Sequence, residues 1–237
     1  MVEKSSKMSE TSVKRRTRCR SPEKKAAQFE EILEAGKKLF EERGRDGFSL
    51  RALAKSLGMN QNNLYNYVES KRELYIAIRN KYFKQYREEN LDIINDHKSS
   101  SFELLMKLFN HFLKFAERDF GAFRMMHLRQ SPPSDKIGPI EKEYREFRLL
   151  TGTNKLIRKT IQEGDIINTN DEMLTFFVYS VVLGAAMIER HMREMLKISM
   201  KGDFASELIQ FGDTNFSTEE FRNFVLENLE FILREKT

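Results

Sequence analysis

The sequence predicts an all-α fold: an N-terminal three-helix unit containing a helix-turn-helix, followed by a larger helical domain. Three observations carry this prediction. Apolar residues recur at i, i+3, i+4 and i+7 through most of the chain, the spacing that places them on one face of a helix. Helix-start signals recur as well. Ser21-Pro22-Glu23 supplies an N-cap, a proline at the first helical position and an acid in the first turn, while Ser70-Lys71-Arg72-Glu73 and Ser217-Thr218-Glu219-Glu220 read as capping boxes. Four prolines and 11 glycines among 237 residues leave little material for loops. With 40% hydrophobic and 32% charged residues, the chain is expected to be soluble and long enough to bury a real core.

Residues 1–20 are poor in apolar side chains and read as a disordered basic arm. Residues 1–25 hold nine Lys or Arg against three Glu, a net of +6, so the remainder carries −1 of the formal +5. Basicity therefore belongs to the arm. Two readings stay open for Arg15, Arg16, Arg18 and Arg20: contact with phosphates or a minor groove, or a solvated tail. The single cysteine, Cys19, excludes an internal disulfide and fits a reducing cytoplasm. The start of the chain shows no apolar signal-peptide core, so the expected location is cytoplasmic and nucleoid-associated.

The first helix is expected to bury Phe29, Ile32, Leu33, Gly36, Leu39 and Phe40 and to end at Gly44, with Asp46-Gly47 turning the chain. Ser49 caps a second helix whose Leu50, Leu53, Ala54 and Leu57 share one face, and Gly58 suits the left-handed residue that ends it. Asn60 caps a third helix, expected over Asn60–Tyr67 and anchored by Leu64 and Val68. Two short helices joined by a glycine-containing turn form a helix-turn-helix, with the second placed to enter a DNA major groove. Its other positions are Gln61, Asn62, Asn63, Tyr65, Asn66 and Tyr67. A purely structural helix would more often carry Glu, Lys and Ala there, because Asn is a poor interior helix former. Amides pair bidentately with adenine, and tyrosine hydroxyls reach phosphates.

Three stretches then resemble the DNA-binding domain of the tetracycline-repressor (TetR) family of transcriptional regulators. They are I-L-E-A-G-K-K-L-F-E-E-R-G from Ile32, F-S-L-R-A-L-A-K-S-L-G-M from Phe48, and L-Y-N-Y-V-E-S-K-R-E-L from Leu64, and their spacing fits too. The departures are Gly36, where alanine is usual, and the asparagines at 60, 62, 63 and 66. The resemblance implies a DNA-binding domain over residues 21–69 and a helical ligand-binding and dimerisation domain over 70–237. For base reading the expected residues are Gln61, Asn62 and Asn66, with Arg51 reaching in from the preceding helix. For phosphate positioning they are Ser49, Asn60, Asn63, Tyr65, Tyr67 and Lys71. These roles match where the family places its contacts. Tyr65 also reads as a half-buried core tyrosine, and Asn60 as a plain cap.

From Ser70 a long helix is expected to run to about Asp96, beginning beside the DNA-binding unit and ending far from it. Past a break at 97–101, Phe102–Glu117 is amphipathic, with Leu105, Leu108, Phe109, Phe112 and Phe115 inward. A short helical segment, Phe120–Arg129, precedes the Ser131–Ser134 loop, and Ile140–Gln162 reads as one helix weakened at Gly152. Asp171–Arg193 is the most apolar helix. Leu174, Phe177, Val178, Val181, Ala185 and Ile188 occupy one face, and Met173, Phe176, Leu183, Gly184 and Met187 occupy the other. Its longest apolar run, Phe176–Ile188, is 13 residues, too short to cross a bilayer. A helix apolar nearly all round is covered on both sides, and a second copy of the chain is the expected cover. The final helix carries Phe221, Phe224, Val225, Leu229 and Ile232. With the preceding helix it is expected to form a two-fold, four-helix dimer interface. Residues 198–216 give no clear pattern.

Between 102 and 187 the chain is rich in Phe and Met. Phe109, Phe112, Phe123, Met126, His127, Tyr144, Phe147, Met173, Phe176 and Tyr179 are candidates to line a cavity for a hydrophobic or amphipathic effector, fatty-acyl or multidrug-like. The competing reading for each is packed core. No metal site and no cofactor are expected: the four histidines are widely spaced and no ligand cluster has metal-site spacing. No P-loop, G-x-S-x-G or G-x-G-x-x-G occurs, and no enzymatic activity is expected. The sequence thus points to a dimeric, ligand-responsive repressor bound to a double-stranded DNA operator. The alternative is an effector-independent architectural or protein-interaction factor with a filled core.

Overall fold

In a computed structural model, residues 21–144, 148–201 and 216–234 are described, and every regular element among them is a helix. The chain begins with α1 (Pro22–Gly47), α2 (Leu50–Ser56) and α3 (Gln61–Leu64), and continues with the 26-residue α4 (Lys71–Asp96). Then come α5 (Ser101–Arg118), α6 (Phe120–His127), α7 (Pro139–Glu143) and α8 (Leu149–Gln162). The long α9 (Asp171–Lys201) and α10 (Thr218–Arg234) complete the set. The basic arm and Cys19, and most of 198–216, lie outside the described residues.

The caps act where the sequence placed them. Ser21 Oγ accepts from Lys24 N, Ser49 Oγ from Ala52 N at 3.1 Å, Asn60 Oδ1 from Asn62 N at 2.9 Å and Ser70 Oγ from Glu73 N at 3.0 Å. Gly44 and Gly58 hold φ of 68° and 62°, a left-handed turn that side chains with a Cβ rarely adopt. Gly36 has a different reason. A Cβ there would meet Ile78 Cδ1 at 2.9 Å and Leu74 behind it, so the missing side chain lets α1 and α4 close up. Ion pairs Lys81–Glu34 and Lys81–Glu30, at 2.6 and 2.7 Å, and a Tyr82–Glu34 hydrogen bond tie the same two helices further along.

Ile32, Leu53, Leu64, Val68, Leu74 and Ile78 fill the small core of the N-terminal unit. The same contiguous cluster continues through Phe102, Leu105, Phe115, Phe123, Ile157 and Val178 into the larger domain. Between α5, α9 and α10 lies a buried ionic knot. The Arg222 guanidinium meets both oxygens of Glu189, and reaches Glu117, which Arg193 also contacts at 2.5 Å. These hydrogen-bonded partners hold the Arg222 charge well above its ordinary pKa.

Four expectations need correcting. The third helix is one turn, Gln61–Leu64, after which Asn66 N and Tyr67 N bond three residues back, to Asn63 O and Leu64 O. Ile140–Gln162 is not one helix: it breaks at Tyr144, whose backbone is extended, into α7 and α8. The apolar helix runs on from Arg193 to Lys201, and Asp171–Met195 is long and apolar enough to cross a membrane by length and composition. Its interspersed Thr, Tyr, Ser and Gly interrupt an uninterrupted-run count without making the helix polar. Finally, Phe177 does not face inward with Leu174, Val178 and Ala185; it is exposed beside Met173, Phe176 and Met187.

Candidate functional site

The N-terminal face presents the predicted DNA-contact residues in three groups. Ser49, Arg51, Asn60, Asn62, Asn63, Tyr65 and Asn66 are exposed around α2 and the single turn of α3. Ser49 and Asn60 each spend a side-chain oxygen on a helix N-terminus. Gln61 is half-buried, and its Nε2 donates to Tyr65 Oη at 3.3 Å, so the two are positioned as a pair. Tyr65 is exposed, not a core tyrosine. Tyr67 is placed otherwise: half-buried, it stacks on Phe29 and donates its hydroxyl to Gln28 Oε1 at 2.7 Å. Its ring joins the segment after α3 to α1, and its hydroxyl is engaged within the protein. Lys71 is half-buried with its ammonium 5.9 Å from the centre of the Phe48 ring. This arrangement leaves a patch of amides, one arginine and one tyrosine on a turn held by Leu64 and Val68 in the core.

A cavity of about 560 Å³ opens between α4, α5, α8 and α9. From α4 come Tyr86, Arg87, Asn90, Leu91 and Ile94. Leu104, Leu105, Leu108, Phe109 and Phe112 of α5 form the apolar wall. Arg148 precedes α8, which adds Leu150, Thr153, Lys155, Leu156 and Lys159, and Tyr179 and Val182 of α9 close the far side. The inner lining is apolar and buried, and the charged lining is exposed. Burial pushes the Tyr86 hydroxyl up to about 12 and keeps it protonated at neutral pH.

Of the ten predicted cavity residues, Phe109, Phe112 and Tyr179 line it. Phe123 and Met126 do not; they are packed core, with Phe123 edge-on to Phe112. His127 sits one layer behind the wall, its Nδ1 3.2 Å from the Tyr179 hydroxyl, and burial pushes its pKa down to about 4. Tyr144 is outside, its hydroxyl accepting from Arg79 Nη2 at 3.3 Å. Met173 and Phe176 are on the outer surface, 74% and 65% exposed, because α9 turns those positions away from the bundle. Phe147 lies outside the described residues.

The residues missed are all those of α4 and α8, together with Leu104, Leu105 and Leu108 of α5, Arg148 and Val182. Leu91 and Ile94 stand exposed on a largely polar helix, and that was the available signal. Among the described residues no group of three His, Cys, Asp or Glu gathers where a metal ion could sit.

No curated protein matches the chain in sequence. Residues 32–78 match the family model of bacterial regulatory proteins, tetR family. Solved structures share the fold. The ketosteroid transcriptional regulator KstR2 of Mycobacterium tuberculosis aligns at a TM-score of 0.61 and 15% identity, covering 88% of this chain and 96% of that one. AibR, solved with isovaleryl coenzyme A and operator DNA, aligns at 0.61 and 18% identity over 87% of this chain and 99% of its own. FadR from Bacillus subtilis, solved with stearoyl-CoA, aligns at 0.60 and 18% identity over 86% and 99%. Across its helix-turn-helix this chain is thus similar in sequence to bacterial regulatory proteins of the tetR family, and along most of its length it shares the fold of these solved transcriptional regulators.

Proposed function

We propose that this regulator is a homodimeric repressor, cytoplasmic and DNA-bound, that leaves its operator when an amphipathic small molecule fills the α4–α5–α8–α9 cavity. One observation carries the reading. The second half of α4 forms a wall of the cavity, while its first turn is capped by Ser70, two residues after the buried anchor Val68. A helix of 26 residues spans about 39 Å, so a tilt imposed at the cavity is delivered to the recognition turn. A ligand can act this way only if it binds the released arrangement more tightly than the DNA-bound one.

In this reading residues 21–69 read DNA and residues 70–237 bind the effector and dimerise. Gln61, Asn62, Asn66 and Arg51 address bases; Ser49, Asn60, Asn63, Tyr65 and Lys71 address phosphates. The outer faces of α9 and α10 expose Met173, Phe176, Phe177 and Met187 beside Phe224, Phe231 and Ile232. Isolated apolar side chains on a surface need no explanation, but a contiguous set does. A second copy of the chain covers it, giving a four-helix contact and two recognition turns about 34–36 Å apart or a multiple of that. An effector-independent architectural factor would have a filled core, and the open cavity speaks against it. AibR and FadR, solved with acyl-CoA ligands, lend support to an acyl effector for this chain.

Genome-wide mapping of bound sites tests the proposal. It should return a few palindromic sites, lost on adding the effector of the neighbouring genes. Binding spread evenly over the genome would sink it.

A further inference from the structure

The cavity combines a buried apolar wall with an exposed, wholly cationic rim. Its charged lining consists of Arg87, Arg148, Lys155 and Lys159, and no Asp or Glu lines it. Lys159 is 3.5 Å from Glu163 one helical turn away. The side chains of Arg87, Arg148 and Lys155 make no ion pair or hydrogen bond among the described residues. They come from separate elements: Arg87 from α4, Arg148 from the segment before α8, and Lys155 from α8 itself. Three cations with no partner among the described residues, lining one opening, repel one another, and an anion placed among them removes that repulsion. A cationic amphiphile would enter against the same field and find no carboxylate to receive it.

Resting on the reading of this cavity as the effector site, we infer that it selects single-chain amphiphiles with an anionic head, the tail lying against Leu104, Leu108, Phe109 and Phe112 and the head held by Arg87, Arg148 and Lys155. The apolar wall supplies affinity in proportion to the tail buried, at about 0.8 kcal/mol per methylene. The rim supplies selectivity. Arginine suits this task, since its planar fork meets a carboxylate or phosphate through two parallel hydrogen bonds. The head is the carboxylate of a free acid or the phosphates of a coenzyme A thioester, and both present the same charge to the same three side chains.

Titration calorimetry on the full-length protein, with probes below their micelle concentrations, tests the assignment. The probes are hexadecanoate, hexadecanoyl-CoA, coenzyme A alone, hexadecanol and hexadecyltrimethylammonium. Hexadecanoate or hexadecanoyl-CoA should bind at least about ten-fold more tightly than the alcohol or the ammonium, and coenzyme A alone should not register. Arg148→Gln combined with Lys155→Gln should weaken the anionic probes by about five-fold or more and leave hexadecanol unchanged. Both positions are exposed, so the double variant keeps its fold. Leu108→Trp, which fills the cavity, should abolish binding of every probe, and so should Gly152→Phe, where a Cβ meets nothing within 4 Å. A tighter thioester assigns the head to phosphate, a tighter free acid assigns it to carboxylate, and equal affinities show that the rim accepts either anion. Equal binding of anionic, neutral and cationic chains, or anion affinities indifferent to the Gln substitutions, overturns the head-group assignment and leaves the cavity an effector site. If no probe binds in a manner that Leu108→Trp and Gly152→Phe remove, the effector reading falls with it.

Discussion

The carboxylate of Glu73 accepts the backbone N–H of Ile140 at 2.7 Å through one oxygen and that of Glu69 at 2.6 Å through the other. It is fully buried. One side chain in the first turn of α4 thereby also serves the N-terminus of α7, where Pro139 offers no N–H of its own. Gly138 makes room for it: a Cβ there would fall 2.0 Å from a Glu73 oxygen. Alongside, Arg72 Nε and Glu141 Oε1 pair at 2.6 Å, and Arg79 stacks on Tyr144. The first turn of α4 is thus joined to the segment that leads to Arg148 and the cavity rim, a second path between the two halves.

Glu73→Gln tests that latch. An amide can accept one of the two backbone N–H groups, but its own NH₂ then faces the other, leaving a buried donor unsatisfied. The expected loss is about 1–3 kcal/mol in urea-induced unfolding. Gly138→Ala should cost at least as much, because its methyl displaces the carboxylate. Wild-type stability in both variants would show that the latch is incidental.

Arg222→Ala should be the costlier change. Side-chain exposures of 6% for Arg222 and 3% for Glu189 mean that removing the guanidinium strands a carboxylate with little water. Breaking such a pair from one side costs about 3–5 kcal/mol, while replacing both partners with apolar residues of similar volume is far milder. Arg222→Met with Glu189→Leu should therefore recover most of the stability lost by Arg222→Ala alone in parallel denaturation curves. A double variant no better than the single one would mean that Glu117 and Arg193 carry the energy.

His127 predicts a pH dependence with a defined sign. Burial lowers its folded pKa to about 4, against about 6.5 unfolded. Between those values the unfolded chain takes up a proton that the folded protein refuses. Stability from the neutral ring is therefore complete above about pH 6.5 and declines as pH falls toward 4, by up to roughly 3 kcal/mol. His127→Phe, keeping the aromatic contacts with Phe112 and Phe123, should flatten the stability profile over that interval. An unchanged slope would place the imidazole in contact with solvent.

At the DNA face, Asn62→Ala and Asn66→Ala should each lose about 1–3 kcal/mol of discrimination against a wrong base. Lys71→Ala should weaken cognate and random DNA alike, with a shallower salt dependence. Tyr67→Phe separates the two possible uses of that hydroxyl. With Gln28 as its partner at 2.7 Å, the variant should lower thermal stability and leave the salt slope alone. A flattened slope at unchanged stability would return Tyr67 to the phosphate contacts.

The legible parts of this protein were those encoded by local rules. Ser49, Asn60 and Ser70 cap because short polar side chains at helix starts have few alternatives, and Gly58 turns because only glycine enters that conformation freely. The helix-turn-helix followed from those signals alone. The cavity did not, since its walls depend on how α4, α5, α8 and α9 are set against one another. Aromatic content drew attention to Phe123 and Met126, which tight packing claims, and away from Leu91 and Ile94, whose exposure on a polar helix carries the information. For α9 the ambiguity was in the pattern itself. Apolar residues all round mark a helix covered twice, but not which side meets its own bundle, and Phe177 went to the opposite side from Val178.

That second side of α9 supports a prediction about assembly. Phe176 and Phe224 are 65% and 63% exposed, on the outer faces of α9 and α10. If those faces meet their own copies across a two-fold axis, each substitution is introduced twice in one interface, and a buried unpaired charge there costs far more than the lost contact. Phe176→Glu and Phe224→Glu should convert the dimer to a monomer in sedimentation equilibrium while the monomer stays folded, because neither ring contributes to the core. Operator affinity should then fall steeply, since two half-sites are no longer engaged together. Leu91→Glu, also at an exposed position but on the cavity rim, should leave the assembly dimeric. A Phe176→Glu protein that remains dimeric, or a wild type that sediments as a monomer at working concentrations, would mean that something other than a second copy covers this face.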